Sequence, residues 1–176
     1  MDRPLEAEEL ALYSVVREAA QAVLASGAAT LEVTWLRSPH GAPYWPTFEL
    51  HPRNPDALPI AVSPGGGDWI DTMLNLEEDG LNFELWAKTF DERLEQTRER
   101  IQAVIEGRVE LKLQRQRWLV FRSWTIVATF HVAGGPDETS RSPAPPDEYR
   151  HLFPERPGDE AAGLLGPRRF APYAES

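Results

Sequence analysis

Two amphipathic helical patterns, separated by a long run of strand patterns, constrain the fold of this chain more than any other feature of its sequence. Within residues 4–26, Leu12, Val16 and Val23 recur at the spacing of one helix face. The second stripe consists of Phe90, Leu94, Ile101, Val104 and Ile105. Two helices separated by strands predict an α+β protein, with the helices packed on a sheet.

Residues at the ends of both patterns support these helices. Pro4 suits a first helical turn, where an amide hydrogen has no partner in any case, and Gly27 favours a stop. Thr89 and Glu92 have the spacing of a capping box. Gly107 is a favourable end for the second helix.

Apolar residues alternate with polar ones between the two helices, which predicts strands. The predicted strands cover residues 31–35, 44–50, 58–62, 70–76 and 81–86. Pro46 cannot donate a hydrogen bond to a neighbouring strand, so we expect its strand to lie at a sheet edge. Asp79-Gly80 favours a hairpin turn before the last strand.

Strand patterns resume after the second helix. Residues 109–113 alternate, and residues 118–132 form an apolar, β-prone stretch that predicts a central strand or a hairpin. The whole pattern predicts a mostly antiparallel sheet of about six to seven strands with two main helices packed on it.

The composition changes at Gly134. Half of the 16 prolines lie beyond this point, and no helix or strand period continues. We therefore expect a single α+β domain over residues 1–133 and a proline-rich, extended or disordered tail over residues 134–176. Such a tail would be dispensable for folding.

Charge and the absence of cysteine exclude several classes of protein. Without cysteine there can be no disulfide, zinc–thiolate site, iron–sulfur cluster or thiol nucleophile. The net charge of −10 disfavours nucleic acid and anionic membranes, and it favours a basic protein partner. The first residues do not resemble a signal peptide, and no apolar stretch is long enough for a membrane span, so we expect a cytoplasmic protein.

An acidic segment flanked by two tryptophans is the sharpest candidate site. Its predicted partner-binding residues are Asp68, Trp69, Asp71, Glu77, Glu78, Asp79, Glu84 and Trp86. The same carboxylates would also suit a solvated hairpin, a hard metal ion or a paired general acid and base. The spacing of a calcium-binding loop is absent, and we predict no metal ligand here.

A basic stretch interleaved with aromatic residues is the second candidate. It contains Arg108, Lys112, Arg115, Arg117 and Arg122, with Trp118 and Trp124. These residue types can bind single-stranded nucleic acid. Because the chain as a whole is acidic, we prefer the interpretation that these basic residues contact the acidic segment or a second copy of the chain. A homodimer is therefore one possible assembly. We expect Arg122 to stack or pair between the two tryptophans.

The known catalytic and cofactor motifs are absent. The four histidines do not have zinc-ligand spacing, G-x-S-x-G does not occur, and the Pro64–Gly67 loop lacks the lysine of a phosphate-binding loop. We predict no catalytic residue, cofactor or metal.

In element order, size and acidity the chain resembles small acidic bacterial proteins that bind other proteins, such as toxin-immunity proteins and secretion chaperones. The leading hypothesis is a non-enzymatic, acidic protein-binding module that engages a basic partner. The alternatives are a hydrolase-type enzyme with a pocket formed by Asp68, Asp71 and Glu84, and a self-associating structural subunit.

Overall fold

The computed structural model is an α+β protein, as predicted. It describes residues 3–37, 43–65, 69–76, 79–85, 89–118, 121–144, 153 and 164–174. The chain forms two compact units. Unit 1 consists of Met1–Gly107 and Ala171–Ser176, and unit 2 consists of Arg108–Phe170.

The three helices of the described residues all lie in unit 1. They are α1 (Ala7–Ala19), α2 (Gln21–Ala25) and α3 (Phe90–Ile105). The single helix predicted for residues 4–26 is therefore divided at Ala20. At the start of α3, the Glu92 amide donates to the Thr89 hydroxyl at 3.2 Å, and the Thr89 amide donates to the Glu92 carboxylate at 3.2 Å. This confirms the predicted capping box.

Five antiparallel strands form the sheet of unit 1, in the order β1-β2-β3-β4-β5. They are β1 (Ala29–Arg37), β2 (Pro43–Pro52), β3 (Ile60–Pro64), β4 (Ile70–Leu76) and β5 (Asp79–Leu85). Leu76 lies opposite Asp79. Asp79-Gly80 therefore belongs to β5 rather than to the turn predicted from it.

The core of unit 1 lies between one face of this sheet and the two longer helices. Phe48, Val62, Thr72 and Phe83 form a row of register partners across β2, β3, β4 and β5, and none is more than 1% exposed. Helix α1 contacts β2 and β3, and α3 contacts β4 and β5. Ile101, predicted at the centre of the α3 stripe, is completely buried.

Pro46 does not place its strand at an edge, because β2 lies between β1 and β3. The pairing of β2 with β3 covers only Phe48–Leu50. Pro46 therefore lies outside that ladder, where a missing amide hydrogen breaks no strand pairing. Its carbonyl oxygen instead accepts a hydrogen bond from the Ser63 hydroxyl at 2.9 Å.

Unit 2 contains a second antiparallel sheet, in the order β8-β7-β6-β9. Its strands are β6 (Val109–Trp118), β7 (Phe121–Phe130), β8 (Glu138–Ala144) and β9 (Leu164–Arg169). The stretch predicted as a central strand or a hairpin supplies β7, which lies between β6 and β8. Leu111, Leu113, Ile126 and Ala128 are fully buried on one face of the β6–β7 pair.

The described strands therefore number nine in two sheets, whereas the sequence predicted one sheet of six to seven. Strands β8 and β9 come from the segment predicted to be a proline-rich tail. They pair with β7 and β6, and Leu165 of β9 is 1% exposed. Residues 145–152 and 154–163 lie outside the described residues, and the domain boundary at residue 133 stays a prediction.

Candidate protein-binding surfaces

The predicted acidic segment begins before β4 and runs through β5. Asp68, Glu77, Glu78 and Trp86 lie outside the described residues. Asp79 and Glu84 belong to β5, where the register places Glu84 opposite Asp71. Among the eight predicted partner-binding residues, the structure thus describes side chains for Trp69 and Asp71, and the binding role of all eight stays a prediction.

Trp69 packs against the backbone of Gly65. The Gly65 amide donates to the Trp69 carbonyl at 3.0 Å, which closes the connection between β3 and β4. A Cβ atom at position 65 would overlap the indole ring, so the ring occupies space that only glycine leaves open. Trp69 is half-buried. Its indole is therefore a packed element of this connection, with part of its surface still accessible.

Asp71 lies on the face of β4 opposite the core. Its neighbours Ile70 and Thr72 are buried, whereas Asp71 is half-buried, as the alternation of a strand requires. Its register partner on β3 is Ser63. The register therefore brings Asp71 and Glu84 of the predicted enzyme pocket to opposite positions on adjacent strands, while Asp68 lies outside the described residues.

Most of the basic stretch lies in β6 and β7, and two of its described side chains, Lys112 and Arg115, contact residues of the same sheet. Lys112 Nζ lies 2.5 Å from a Glu110 carboxylate oxygen, and Arg169 Nε lies 3.1 Å from the other oxygen. The hydrogen bond from Lys112, with that from Arg169, lowers the pKa of Glu110 although burial opposes this. The Arg115 guanidinium lies over the Trp124 ring, 5.9 Å from its centre. Arg115 therefore stacks on Trp124. We expected this arrangement for Arg122, whose side chain is not among those that the structure describes.

A cluster that the sequence did not single out surrounds Arg3. Arg3 Nη1 donates to Glu9 at 2.8 Å, its Nη2 donates to the Tyr44 carbonyl at 3.3 Å, and its guanidinium lies 5.0 Å from the centre of the Trp35 ring. Burial alone would raise the pKa of Glu9, but hydrogen bonds from Arg3 and from the Glu6 amide reverse the shift and lower it. The segment before α1 is therefore attached to β1 and β2.

Four large apolar side chains are exposed among the described residues, and all lie on α1, β1 or β2. They are Leu10, Val33, Leu36 and Tyr44, and we call this set the edge patch; Val33 and Leu36 lie on opposite faces of β1. Their exposed fractions range from 41% to 54%. The sequence contained a signal for two of them. In Trp35-Leu36 and in Tyr44-Trp45, adjacent apolar residues break the alternation, so the sheet cannot bury both members of each pair on one face.

A shallow groove of about 480 Å³ runs along α1 beside Leu10 of the edge patch. Tyr13, Ser14, Arg17, Glu18 and Gln21 also line it. The Tyr13 ring contacts the core residue Phe48, with 5.4 Å between ring centres. The groove is open and lined by both polar and apolar groups, so it suits a protein surface better than an enclosed small molecule.

The formal charge is distributed very unevenly between the two units. Unit 1 contains 20 Asp and Glu against 8 Arg and Lys, which gives −12. Unit 2 contains 8 Asp and Glu against 10 Arg and Lys, which gives +2. The acidity of the chain is therefore a property of unit 1, and the same unit carries the edge patch.

The described histidines have acidic neighbours but form no metal site. His51 Nε2 lies 3.4 Å from Glu49, and His131 Nδ1 lies 2.9 Å from Asp137. The described parts of the chain contain no group of three or more His, Asp or Glu side chains arranged to hold a metal ion. Within those same parts, no helix is long and apolar enough to cross a membrane.

Comparison with protein-family models, curated proteins and solved structures gives no match for this chain.

Proposed function

We propose that this protein is a non-enzymatic binding module, of the inhibitor or chaperone kind, that engages a basic partner protein through unit 1. The observation that carries the proposal is the coincidence of a net charge of −12 and the exposed edge patch in one unit. A field of this sign accelerates encounter with a basic surface, and exposed apolar side chains prolong a complex once it has formed.

Unit 1 offers two surfaces for such a partner. The edge patch lies on α1, β1 and β2, and the acidic segment predicted from the sequence reaches β4 and β5 at the other side of the sheet. The edge patch is the better supported of the two, because its side chains and their exposure are described. The acidic segment would then add to the long-range attraction rather than form the central contact.

Affinity capture with the whole chain tests this function. We expect the immobilised protein to retain basic proteins from a lysate of its own source cells, and moderate salt to release them because exposed charges are screened over about 8 Å at physiological ionic strength. Capture of acidic proteins, or capture that salt does not weaken, would contradict the proposal.

Two charge-reversed variants locate the surface. Glu18→Lys with Glu32→Lys changes two exposed acids of α1 and β1. Asp56→Lys with Glu95→Lys changes two exposed acids elsewhere in unit 1 by the same total charge. We expect both double variants to bind the captured partner more slowly, and the first to lose more affinity. Equal losses would support the acidic field but not the edge patch as the contact.

A further inference from the structure

Strand β1 presents an outer edge over residues 30–36 that no described strand pairs with. Strand β1 is the first strand of its sheet, and within the described residues it pairs with β2 alone. Thr30, Glu32, Val33, Thr34 and Leu36 are all exposed. Side chains on both faces of this edge are therefore exposed where a further strand would lie.

The hydrogen bond between Arg53 and Ala28 shows which groups of β1 point outwards. The Arg53 amide donates to the Ala28 carbonyl at 2.8 Å, and these residues continue the register in which Ala29 lies opposite Pro52. In an antiparallel pair, hydrogen-bonded and non-hydrogen-bonded positions alternate. Even-numbered residues of β1 therefore bond to β2, and the amides of Leu31, Val33 and Trp35 point away from it. Pro46 and Pro52 lie opposite the odd-numbered residues Trp35 and Ala29. These are positions where β2 donates no hydrogen bond to β1, which suits proline because it has no amide hydrogen.

Proline, lysine and a register irregularity, which protect many edge strands, are missing from the centre of β1, where Glu32 is the only charged residue. Protected edges carry proline, lysine, a bulge or a covering segment. Residues 30–36 contain no proline and no basic residue, and the first irregularity of register falls between Leu36 and Arg37. The exposed side chains of this stretch include the apolar Val33 and Leu36.

The two faces of β1 differ in chemistry. Glu32 lies opposite Glu49, and the Thr34 hydroxyl donates to the Glu49 carboxylate, so this face is acidic along residues 30–34 and ends at the exposed Leu36. Val33 lies opposite Phe48 on the other face, where Trp35 stacks with Arg3. A strand added to β1 would continue this alternation, with basic side chains on the face of Glu32 and apolar side chains on the face of Val33.

We propose that β1 binds an extended segment of a partner protein by strand addition, and that this segment alternates basic with apolar residues. The inference rests on the proposed function and specifies its binding mode. Charge complementarity selects this occupant over a second copy of the chain, because antiparallel self-pairing about Val33 would bring two units of charge −12 together. Outward amides provide affinity and the alternating faces provide specificity, as in other cases of strand addition.

Three nine-residue peptides with capped termini, labelled for fluorescence anisotropy, provide the direct test. The first alternates lysine with valine, the second alternates glutamate with valine, and the third contains the residues of the first with the lysines in one block. We expect the whole protein to bind the first peptide at least tenfold more tightly than the other two. Equal affinity for the alternating and the blocked lysine peptides would overturn strand addition, because a purely electrostatic contact does not depend on alternation.

Proline substitution separates the two edges of β1. Val33→Pro removes an outward amide and should weaken binding of the first peptide at least tenfold, with the fold retained. Val33→Thr keeps the amide and changes only the side chain, so it should lose clearly less affinity than Val33→Pro, and the difference between the two variants isolates the contribution of the amide. Thr34→Pro removes an amide that bonds to β2, and it should lower the melting temperature far more than Val33→Pro.

The remaining outcomes are also distinct. If Val33→Pro does not fold, the first peptide with N-methyl groups on alternate residues replaces it, and binding must be lost in only one of the two methylation registers. Loss in both registers, or in neither, would overturn the proposal. Unchanged peptide binding by a folded Val33→Pro protein would overturn strand addition but not the acidic binding function, which the salt-dependent capture tests separately. A dimer seen by sedimentation in the unmodified protein and absent from Val33→Pro would assign the edge to a second copy instead.

Discussion

The Tyr173 phenol, close to the C-terminus, donates a hydrogen bond to the Leu58 carbonyl at 2.8 Å. Tyr173 is 2% exposed, and its amide also donates to the Ile105 carbonyl at the end of α3. Burial raises the pKa of this phenol well above its usual range, because a phenolate would be poorly solvated there. Tyr173 thus helps to close the core of unit 1.

Tyr173→Phe should lower the free energy of unfolding by about 1 kcal/mol, because it leaves the buried Leu58 carbonyl without this donor. Urea denaturation measures the change. Tyr44→Phe provides the control, since the Tyr44 side chain is 54% exposed and should tolerate the change. Equal denaturation midpoints for Tyr173→Phe and the unmodified protein would show that the phenol is not needed.

A chain that ends at Ala133 should lose cooperative unfolding or melt many degrees lower. It lacks β8, β9 and Tyr173, and therefore two strands of one sheet and a buried side chain of unit 1. A chain that ends at Ala174 keeps all three and should melt normally by circular dichroism. A normal melt of the shorter chain would instead support the sequence-based expectation of a dispensable tail.

Gly65→Ala should destabilise the protein by about 1–3 kcal/mol, because the new methyl group would overlap the Trp69 indole. A double-mutant cycle isolates the cause. In a Trp69→Ala background the same glycine substitution should cost much less, as denaturation midpoints would show. An identical cost in both backgrounds would mean that backbone conformation, rather than the indole, requires glycine here.

Thr72→Val and Thr97→Val should differ in their effect on stability, although both residues are completely buried. The Thr97 hydroxyl donates to the Arg93 carbonyl at 2.8 Å, so its loss should cost about 0.5–1.5 kcal/mol. Within the described part of the chain the Thr72 hydroxyl has no hydrogen-bond partner. Thr72→Val should therefore be neutral or stabilising in chemical denaturation, and a clear loss would reveal a partner for that hydroxyl.

Acidification should weaken unit 2 partly through Glu110. Because the folded-state pKa of Glu110 is lowered, its contribution to stability is present above the ordinary glutamate pKa of about 4.3 and is lost as pH falls through the lowered value. Glu110→Gln should therefore lower stability at neutral pH and flatten its decline in acid. Glu8→Gln, an exposed change on α1, should leave the profile intact. Parallel acid profiles for Glu110→Gln and the unmodified protein would contradict this assignment.

Local patterns were sufficient to predict the helices and most strands. Both helical stripes, the Thr89–Glu92 capping box and the strand in Ile70–Leu76 follow from periodicity and hydrogen bonding within a few residues, and the structure contains each of them. These features depend on neighbours in the sequence. The concentration of acids in the first 107 residues can also be counted from the sequence. That these acids belong to one compact unit is known only from the structure.

The pairing of strands that are distant in the sequence could not be predicted from the sequence. Strands β8 and β9 lack strong alternation and contain proline. They form strands because each pairs with an edge of the β6–β7 hairpin, β8 with β7 and β9 with β6. Likewise, the sequence of α3 does not indicate that Arg100 is 2% exposed with its guanidinium donating to the Phe83 carbonyl, because that acceptor belongs to a distant strand. The sequence determined which segments become helices and strands through local periodicity. Only the tertiary structure decided that β1 is an edge and that β2 is not, because strand order depends on which segments meet after folding.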